Sequence, residues 1–270
     1  MTFEPLVEHT RGPLAEIVHA GAIAVVDHHG KLLGQVGNAD AICFTRSTLK
    51  PFQALPFMQG GGAMHFGFEP EHIALLCASH NGEDMHVLKV DEMLTRIGHS
   101  HGSLHGLALK DHLLPAHPLQ QSIRQAVASV ARLDETQLVE GVDGCSAPNY
   151  AMPLSRLAFS FSRFASGKQD TEYGEEFESL GNAMLAHPEM VSGTGRNDLA
   201  FTKAGRGDWL TKIGADGVQV IASKSRRQAI AIKVISGHMP ALYAAAVKAL
   251  EQAGWLDDEQ RELLKPWGHQ

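Results

Sequence analysis

The chain is expected to adopt an α+β fold in which strands from its two ends meet in one antiparallel sheet, with a helical region of about residues 44–200 between them. Three observations predict this. Strand-like runs open and close the sequence, helical periods fill its middle, and the βαβ alternation that a parallel sheet requires is absent. With 270 residues, 44% of them hydrophobic, residues 1–270 have the material for a sizeable core and are read as a single domain.

The elements follow in order. Residues 16–37, EIVHAGAIAVVDHHGKLLGQVG, hold two runs rich in Ile and Val around an Asp-His-His-Gly turn, which predicts an opening hairpin. Helical periods are predicted from about Ser47 to Met58, from Pro70 to Cys77 and from Glu83 to Ile97, the last with Val87, Val90, Met93 and Leu94 on one face. Residues 98–117 have no firm period. Helix returns at 119–131, 153–165 and 173–185, joined by the turn-forming stretches GVDGCSAPN and HPEMVSGTGRND. The runs DWLTKIG, VQVIASK and QAIAIKVIS then predict an antiparallel meander, and helices at 240–253 and 257–264 close the chain.

Composition excludes several function classes. A formal net charge of −7 and the lack of basic runs give no electrostatic footprint for nucleic acid. Three scattered cysteines, Cys43, Cys77 and Cys145, do not describe a secreted disulfide framework, so a reducing cytoplasm is expected. The first residues lack a signal-peptide core, and no segment has the ~18 uninterrupted apolar residues of a membrane span.

Four segments carry candidate chemistry. In FTRSTLKPFQALP, helical spacing puts Ser47 and Lys50 on one face, where a neutral amine would take the hydroxyl proton. Neutrality requires burial or a second positive charge, since a free lysine titrates near 10.4. The structural alternative makes Ser47 an N-cap, with Pro51 in the first turn. In CASHNGED, Asn81 is expected to cap the next helix with Asp84 at the capping-box position, a reading that leaves Ser79 and His80 in need of partners. In GVDGCSAPNYAMPL, Asp143, Cys145 and Asn149 crowd into a turn that is either functional or simply solvated. In QAIAIKVISG, alternation puts Lys233 on the small-residue side with Ala229 and Ala231, as a second charge near a base or as an edge-strand guard. The glycine loop SGTGRND lacks a P-loop pattern, so a turn with Asn197 as N-cap suffices. His99, His101, His105, His112 and His117 share one loop region, but at no familiar zinc spacing.

Taken together and in this order, RSTLKPFQ, CASHNGE, GVDGCSAPNYAMPL, HPEMVSGTGRNDLAF and AIAIKV resemble the rhizobial-type L-asparaginases, the asparaginase II family. The resemblance covers most of the chain. It implies a fold similar to the serine β-lactamases and penicillin-recognising enzymes, a cytoplasmic homodimer, and hydrolysis of the small-molecule substrate L-asparagine to aspartate and ammonia. It implies two Ser/Lys pairs, Ser47 with Lys50 and Ser79 with Lys233, with Arg46 for the substrate carboxylate, Asp143 for its ammonium, and His80 and Asn81 lining the site. Two lysines facing one pocket would supply the repulsion a neutral base needs. Of the family's three zinc ligands only the cysteine matching Cys145 is present, because the cysteine-serine-glycine-lysine segment is missing and GHSHGSLHGLALKDHLLPAH bridges its place; His105 and Lys110 are conceivable substitutes there. The sequence therefore requires no cofactor, with zinc at Cys145 as the metal candidate. Two alternatives stand beside the asparaginase reading: a shortened relative that keeps ligand binding but has weak or no turnover, and a β-lactam- or peptide-directed serine acyl hydrolase. The lack of K-T-G after Lys233 counts against the latter.

Overall fold

The computed structural model describes residues 2–100, 102 and 111–268. The fold class is the expected one. Strands β1 (Glu4–Arg11), β2 (Leu14–Asp27), β3 (Leu32–Val36), β7 (Trp209–Gly214), β8 (Val218–Ser223) and β9 (Gln228–Val234) form one antiparallel sheet, in the order β1-β2-β9-β8-β7 with β3 also on β2. The two ends of the chain meet where Ala24 of β2 pairs with Ala231 of β9.

Period-two alternation gives this sheet two different faces. Ala22, Ala24, Ala229 and Ala231 pack under the helix Leu154–Ala165 and join the core of the helical region. Ile23, Ile230, Ile232 and Val234, from the same strands, pack on the opposite side against Ala241, Leu242, Ala245 and Ala249 of the helix Met239–Gln252. Small side chains on one face let the helix approach closely, while branched ones fill the other. The sheet is thus covered on both faces, and β7 is an edge strand that nonetheless has every residue buried.

Several expected boundaries fall within a residue or two, as in the helices Pro70–Leu76, Asp84–Arg96 and Pro118–Ala131. Others differ for identifiable reasons. Residues 4–11 form β1 despite their acids and proline, because pairing with β2 supplies their hydrogen bonds. A second sheet, unforeseen, orders β4 (Ile42–Phe44), β6 (Pro148–Pro153) and β5 (Val139–Val142), so the GVDGCSAPN turn is the connection of a hairpin. The predicted 47–58 helix is a 3-10 turn Arg46–Leu49 followed by the short helices Lys50–Gln53 and Leu55–Gln59, each with a proline in its first turn. Two further short helices, Pro188–Ser192 and Asn197–Ala204, flank the glycine loop.

Arg163 joins the helices of this middle region. It is buried, pairs with Asp170 at 2.8 Å, and donates to the Ser129 and Val130 carbonyls that end the helix Pro118–Ala131. Burial opposes ionisation of Asp170, but the Arg163 guanidinium and the Tyr173 and Glu172 amides prevail and hold the carboxyl below its ordinary range. That stabilisation is present above about pH 3.9 and is lost as the pH falls through the lower folded value. Arg163→Ala strands Asp170 without its partner, and urea unfolding at neutral pH is expected to show a loss of about 3–5 kcal/mol; an unchanged midpoint would refute the role given to this pair.

Candidate active site

The site is built on the turn that follows β4. Arg46 adopts a left-handed backbone conformation with φ of 53°, uncommon for a residue with a side chain and costly unless its surroundings impose it. They do so three times. Its amide donates to Asn149 Oδ1 at 3.1 Å, and its guanidinium meets Asp143 at 2.8 Å and Asp216 at 2.7 Å. Asp143 and Asn149 belong to the β5–β6 hairpin, whereas Asp216 sits in the β7–β8 turn, itself left-handed and followed by Gly217. Arg46 and Asp143, expected to divide a substrate between them, thus hold each other. Arg46 Nε is buried and has no partner.

Ser47 comes next, inside the 3-10 turn. The cap position belongs to Thr45, whose hydroxyl donates to the Tyr150 carbonyl at 2.7 Å, so the capping role is not what Ser47 has here. In 3-10 geometry residues i and i+3 eclipse, which sets Lys50 directly above Ser47. Burial pushes the Lys50 amine below the ordinary lysine range, outweighing the opposing pull of Cys145, Asp143 and Cys77.

Ser79 ends the helix-to-loop passage after Cys77. Its amide donates to the Val191 carbonyl at 2.8 Å, and its hydroxyl is buried with no partner. His80 stacks on His86 with centroids 4.3 Å apart, and burial, then His86, then Lys50 and Arg196 disfavour its protonation. Asn81 does not cap the next helix. Glu83 does, in a capping box closed by His86, and Asn81 instead donates to the Thr194 carbonyl and accepts from Arg196. Gly193 permits this approach, because a Cβ there would lie 2.5 Å from Glu83 Oε1 and 2.9 Å from Asn81 Nδ2. Asn197, expected as a cap, is buried one residue inside its helix with both amide atoms unpartnered.

The lysine within electrostatic reach of Lys50 is Lys212, whereas Lys233 senses Arg46. β9 is not an edge but lies two strands in, with Lys233 in register with Val218, which pairs with Gly214. Its amine donates to the Asp216 carbonyl and senses Arg46, so it supports the β7–β8 turn. Lys212, on the edge strand β7, is fully buried 3.6 Å from Asp198. Burial lowers its pKa; Asp198 opposes this, while the Lys50 charge adds to it. Cys77, two residues before Ser79, is within electrostatic reach of both amines, and burial pushes its thiol up to about 12. Gly214 brings the strand end to the Ser47 turn, for an added Cβ would stand 2.8 Å from the Thr45 carbonyl oxygen and 3.0 Å from Arg46 Cβ. The elements therefore read S-x-x-K in Ser47–Lys50, S-x-N in Ser79–Asn81 and K-x-G in Lys212–Gly214, similar to the S-x-x-K, S-D-N and K-T-G set of class A β-lactamases but with His80 and Ile213 at the middle positions. The missed signal was a lysine inside the otherwise apolar run WLTKIG, two residues before a glycine.

Beside Lys50 and His80 lies a cavity of about 580 Å³ whose other walls include Phe57, Phe68, Val90 and Met93. The Cys145 thiol is exposed at a hairpin tip, and the only trio of potential metal ligands found close together among the described residues is His9, His19 and His238, elsewhere in the fold. Of the loop histidines, His101 and His105 lie outside the described residues, as does Lys110. Among the described residues no helix is long and apolar enough to cross a membrane.

Comparison with known proteins follows the same line. No curated protein is matched. Among solved structures, the protein Mglu is 15% identical with a TM-score of 0.43 over 87% of this chain and 67% of its own, and its glutamate form is 15% identical with a TM-score of 0.44 over 93% and 66%. A beta-lactamase from Mycobacterium bovis is 14% identical with a TM-score of 0.42 over 86% of this chain and 94% of its own. The chain thus spans about two thirds of the length of Mglu. The family model for L-asparaginase II matches residues 7–108 and 101–270. This chain belongs to the L-asparaginase II family.

Proposed function

We propose that the protein hydrolyses L-asparagine to L-aspartate and ammonia through an acyl-enzyme on Ser47. The observation that supports this reading is the pairing of a partly buried Lys50, one turn from Ser47, with a fully buried Lys212 within its electrostatic reach, burial lowering the proton affinity of both amines. Ser47 Oγ attacks the side-chain carboxamide carbon as its proton passes to neutral Lys50. The tetrahedral intermediate, its oxyanion met by the backbone N–H groups of the Ser47 turn, collapses and expels ammonia; water then cleaves the ester and releases aspartate. Ser79, with Lys212 as its partner, relays protons to the leaving nitrogen and from the water. A zwitterionic amino acid can exchange the Arg46–Asp143 ion pair for two of its own, carboxylate on Arg46 and ammonium on Asp143, without stranding a charge. His80 and Asn81 shape the side facing the glycine loop. The protein is proposed to work as a cytoplasmic homodimer, without a cofactor.

A second reading, a serine acyl hydrolase for peptides or β-lactams, is favoured by the K-x-G sequence and by the apolar cavity beside Lys50, which asparagine alone would leave empty. Intact-mass measurement after incubation with a penicillin separates the two, since a stable adduct on Ser47 belongs to this second reading alone.

Ammonia release from asparagine should fall to the background of the buffer in Ser47→Ala; equal rates in variant and wild type would remove turnover and leave the ligand-binding relative as the reading. The lysines are separated by a second comparison: Lys212→Met is expected to lower kcat at least ~100-fold, the usual scale of a lost acid–base group, and Lys233→Met by less than ~10-fold. The reverse order would restore Lys233 to the site. The base acts only when unprotonated, so kcat/KM should rise with pH along a limb whose midpoint lies below the ordinary lysine value near 10.4. A limb at or above that value would show that Lys50 is not the base.

A further inference from the structure

Away from the serines and lysines, on the end of the sheet where β1 meets the helix Met239–Gln252, three histidines converge. His9 of β1 pairs with Ile17 of β2, two positions before His19, so both imidazoles stand on one face of the ribbon. The turn after β9 delivers the third, His238, as the N-cap of the helix. Ring centroids are 4.7 Å apart for His19 and His238, 4.8 Å for His9 and His19 and 5.0 Å for His9 and His238. One nitrogen from each lies within 4.8 Å of the other two.

We propose that His9, His19 and His238 form a binding site for a borderline first-row divalent cation of the Zn2+, Co2+ or Ni2+ type, unconnected with asparagine hydrolysis. Three imidazoles suit these ions better than calcium or magnesium, which take oxygen ligands. Two observations support the assignment beyond proximity. His19 is buried, yet among the described residues its Nε2 has no hydrogen-bond partner, an orphaned nitrogen on one ring of the cluster. Its other nitrogen, Nδ1, lies 2.7 Å from Ser236 Oγ, which also accepts from the His238 amide at 3.3 Å. In the proposed site the Nδ1 proton is donated to that hydroxyl, which leaves the Nε2 lone pair free for the ion, the outer support that metal-binding histidines commonly have.

A tetrahedral zinc with nitrogens at 2.0–2.1 Å would set them ~3.4 Å apart, so the rings must close by about an ångström. His238 has the slack for this: its cap bond to the Ala241 amide is long, at 3.3 Å. His9 and His238 are only partly buried, which leaves the fourth position to water. Such an ion would tie the outermost strand to the start of a helix that covers the sheet.

The test uses the full chain, freed of metal by chelator and dialysis. Zn2+ is titrated calorimetrically, and Co2+ is followed by its visible absorption, into wild type, Cys145→Ser, His9→Ala, His19→Ala and His238→Asn. The expected result is a single site in wild type and Cys145→Ser, a tetrahedral Co2+ spectrum, and at least ~10-fold weaker binding in each histidine variant. Should His19→Ala fail to fold, His9→Ala and His238→Asn still decide, the first on a partly exposed strand and the second retaining a capping side chain. The absence of Zn2+ uptake, or uptake unchanged in these two variants, would overturn the site; uptake lost in Cys145→Ser would place the metal elsewhere and overturn it equally.

Discussion

One arginine holds the site together. Arg46 is the point at which the Ser47 turn, the β5–β6 hairpin and the β7–β8 hairpin are joined, through Asn149, Asp143 and Asp216 in turn. Its left-handed backbone costs about 1–3 kcal/mol, a strain that persists only where the surroundings over-determine it. Three partners from two hairpins do so. The consequence reaches the next residue, because a chain leaving the left-handed region enters the 3-10 turn with Ser47 and Lys50 eclipsed. Lys233 belongs to the same construction: its bond to the Asp216 carbonyl steadies the turn whose carboxylate grips Arg46.

The lysine on β7 shows how burial and charge compete. Asp198 lies 3.6 Å from the Lys212 amine and would by itself keep it protonated. That carboxylate is already committed, accepting from the Ile213 amide at 3.0 Å and lying 3.2 Å from the Thr211 hydroxyl, and the amine donates only to the Ile213 carbonyl at 3.2 Å. A loosely paired ammonium in a fully buried place, with Lys50 nearby, gains too little from its partner to offset lost hydration. Burial is the larger cause and the Lys50 charge adds to it, on an edge strand pressed against the start of the Ser47 turn through Gly214.

Much of this architecture is legible in the residue pattern. The meander, the opening hairpin and most helices announce themselves through alternation, helical periods and turn residues. What escapes is whatever depends on contacts distant in sequence. β1 has a poor strand composition and exists because β2 extends far enough to pair with it. The small β4-β6-β5 sheet joins residues about a hundred positions apart. In the site, S-x-x-K and S-x-N are visible as motifs, and alternation correctly sets Lys233 on the alanine face of β9. Strand order, which no local pattern encodes, decides which lysine comes within reach of Lys50: β9 is internal and β7 is the edge. Lys212 and Lys233 both point toward the helical region, but only the edge strand reaches the gap between the Ser47 turn and Cys77.

The walls of the site divide by polarity, and this division bears on specificity. Polar groups converge on the Arg46 side, where Asp143 and Asn149 are held by a hairpin connected to a sheet. On the other side of Lys50 the cavity is lined by aromatic and aliphatic side chains, with His80 disfavoured as a cation. An amino acid's charged end can be recognised only on the first side, since burying it among phenylalanines would leave it unpaired at a cost of several kcal/mol. For the asparagine proposed above, the carboxamide would then lie between Arg46 and Lys50, a span set by the 3-10 turn itself. Discrimination between substrates one methylene apart would on that proposal rest on the rigidity of the turn, and so on the same arginine whose three partners impose its backbone.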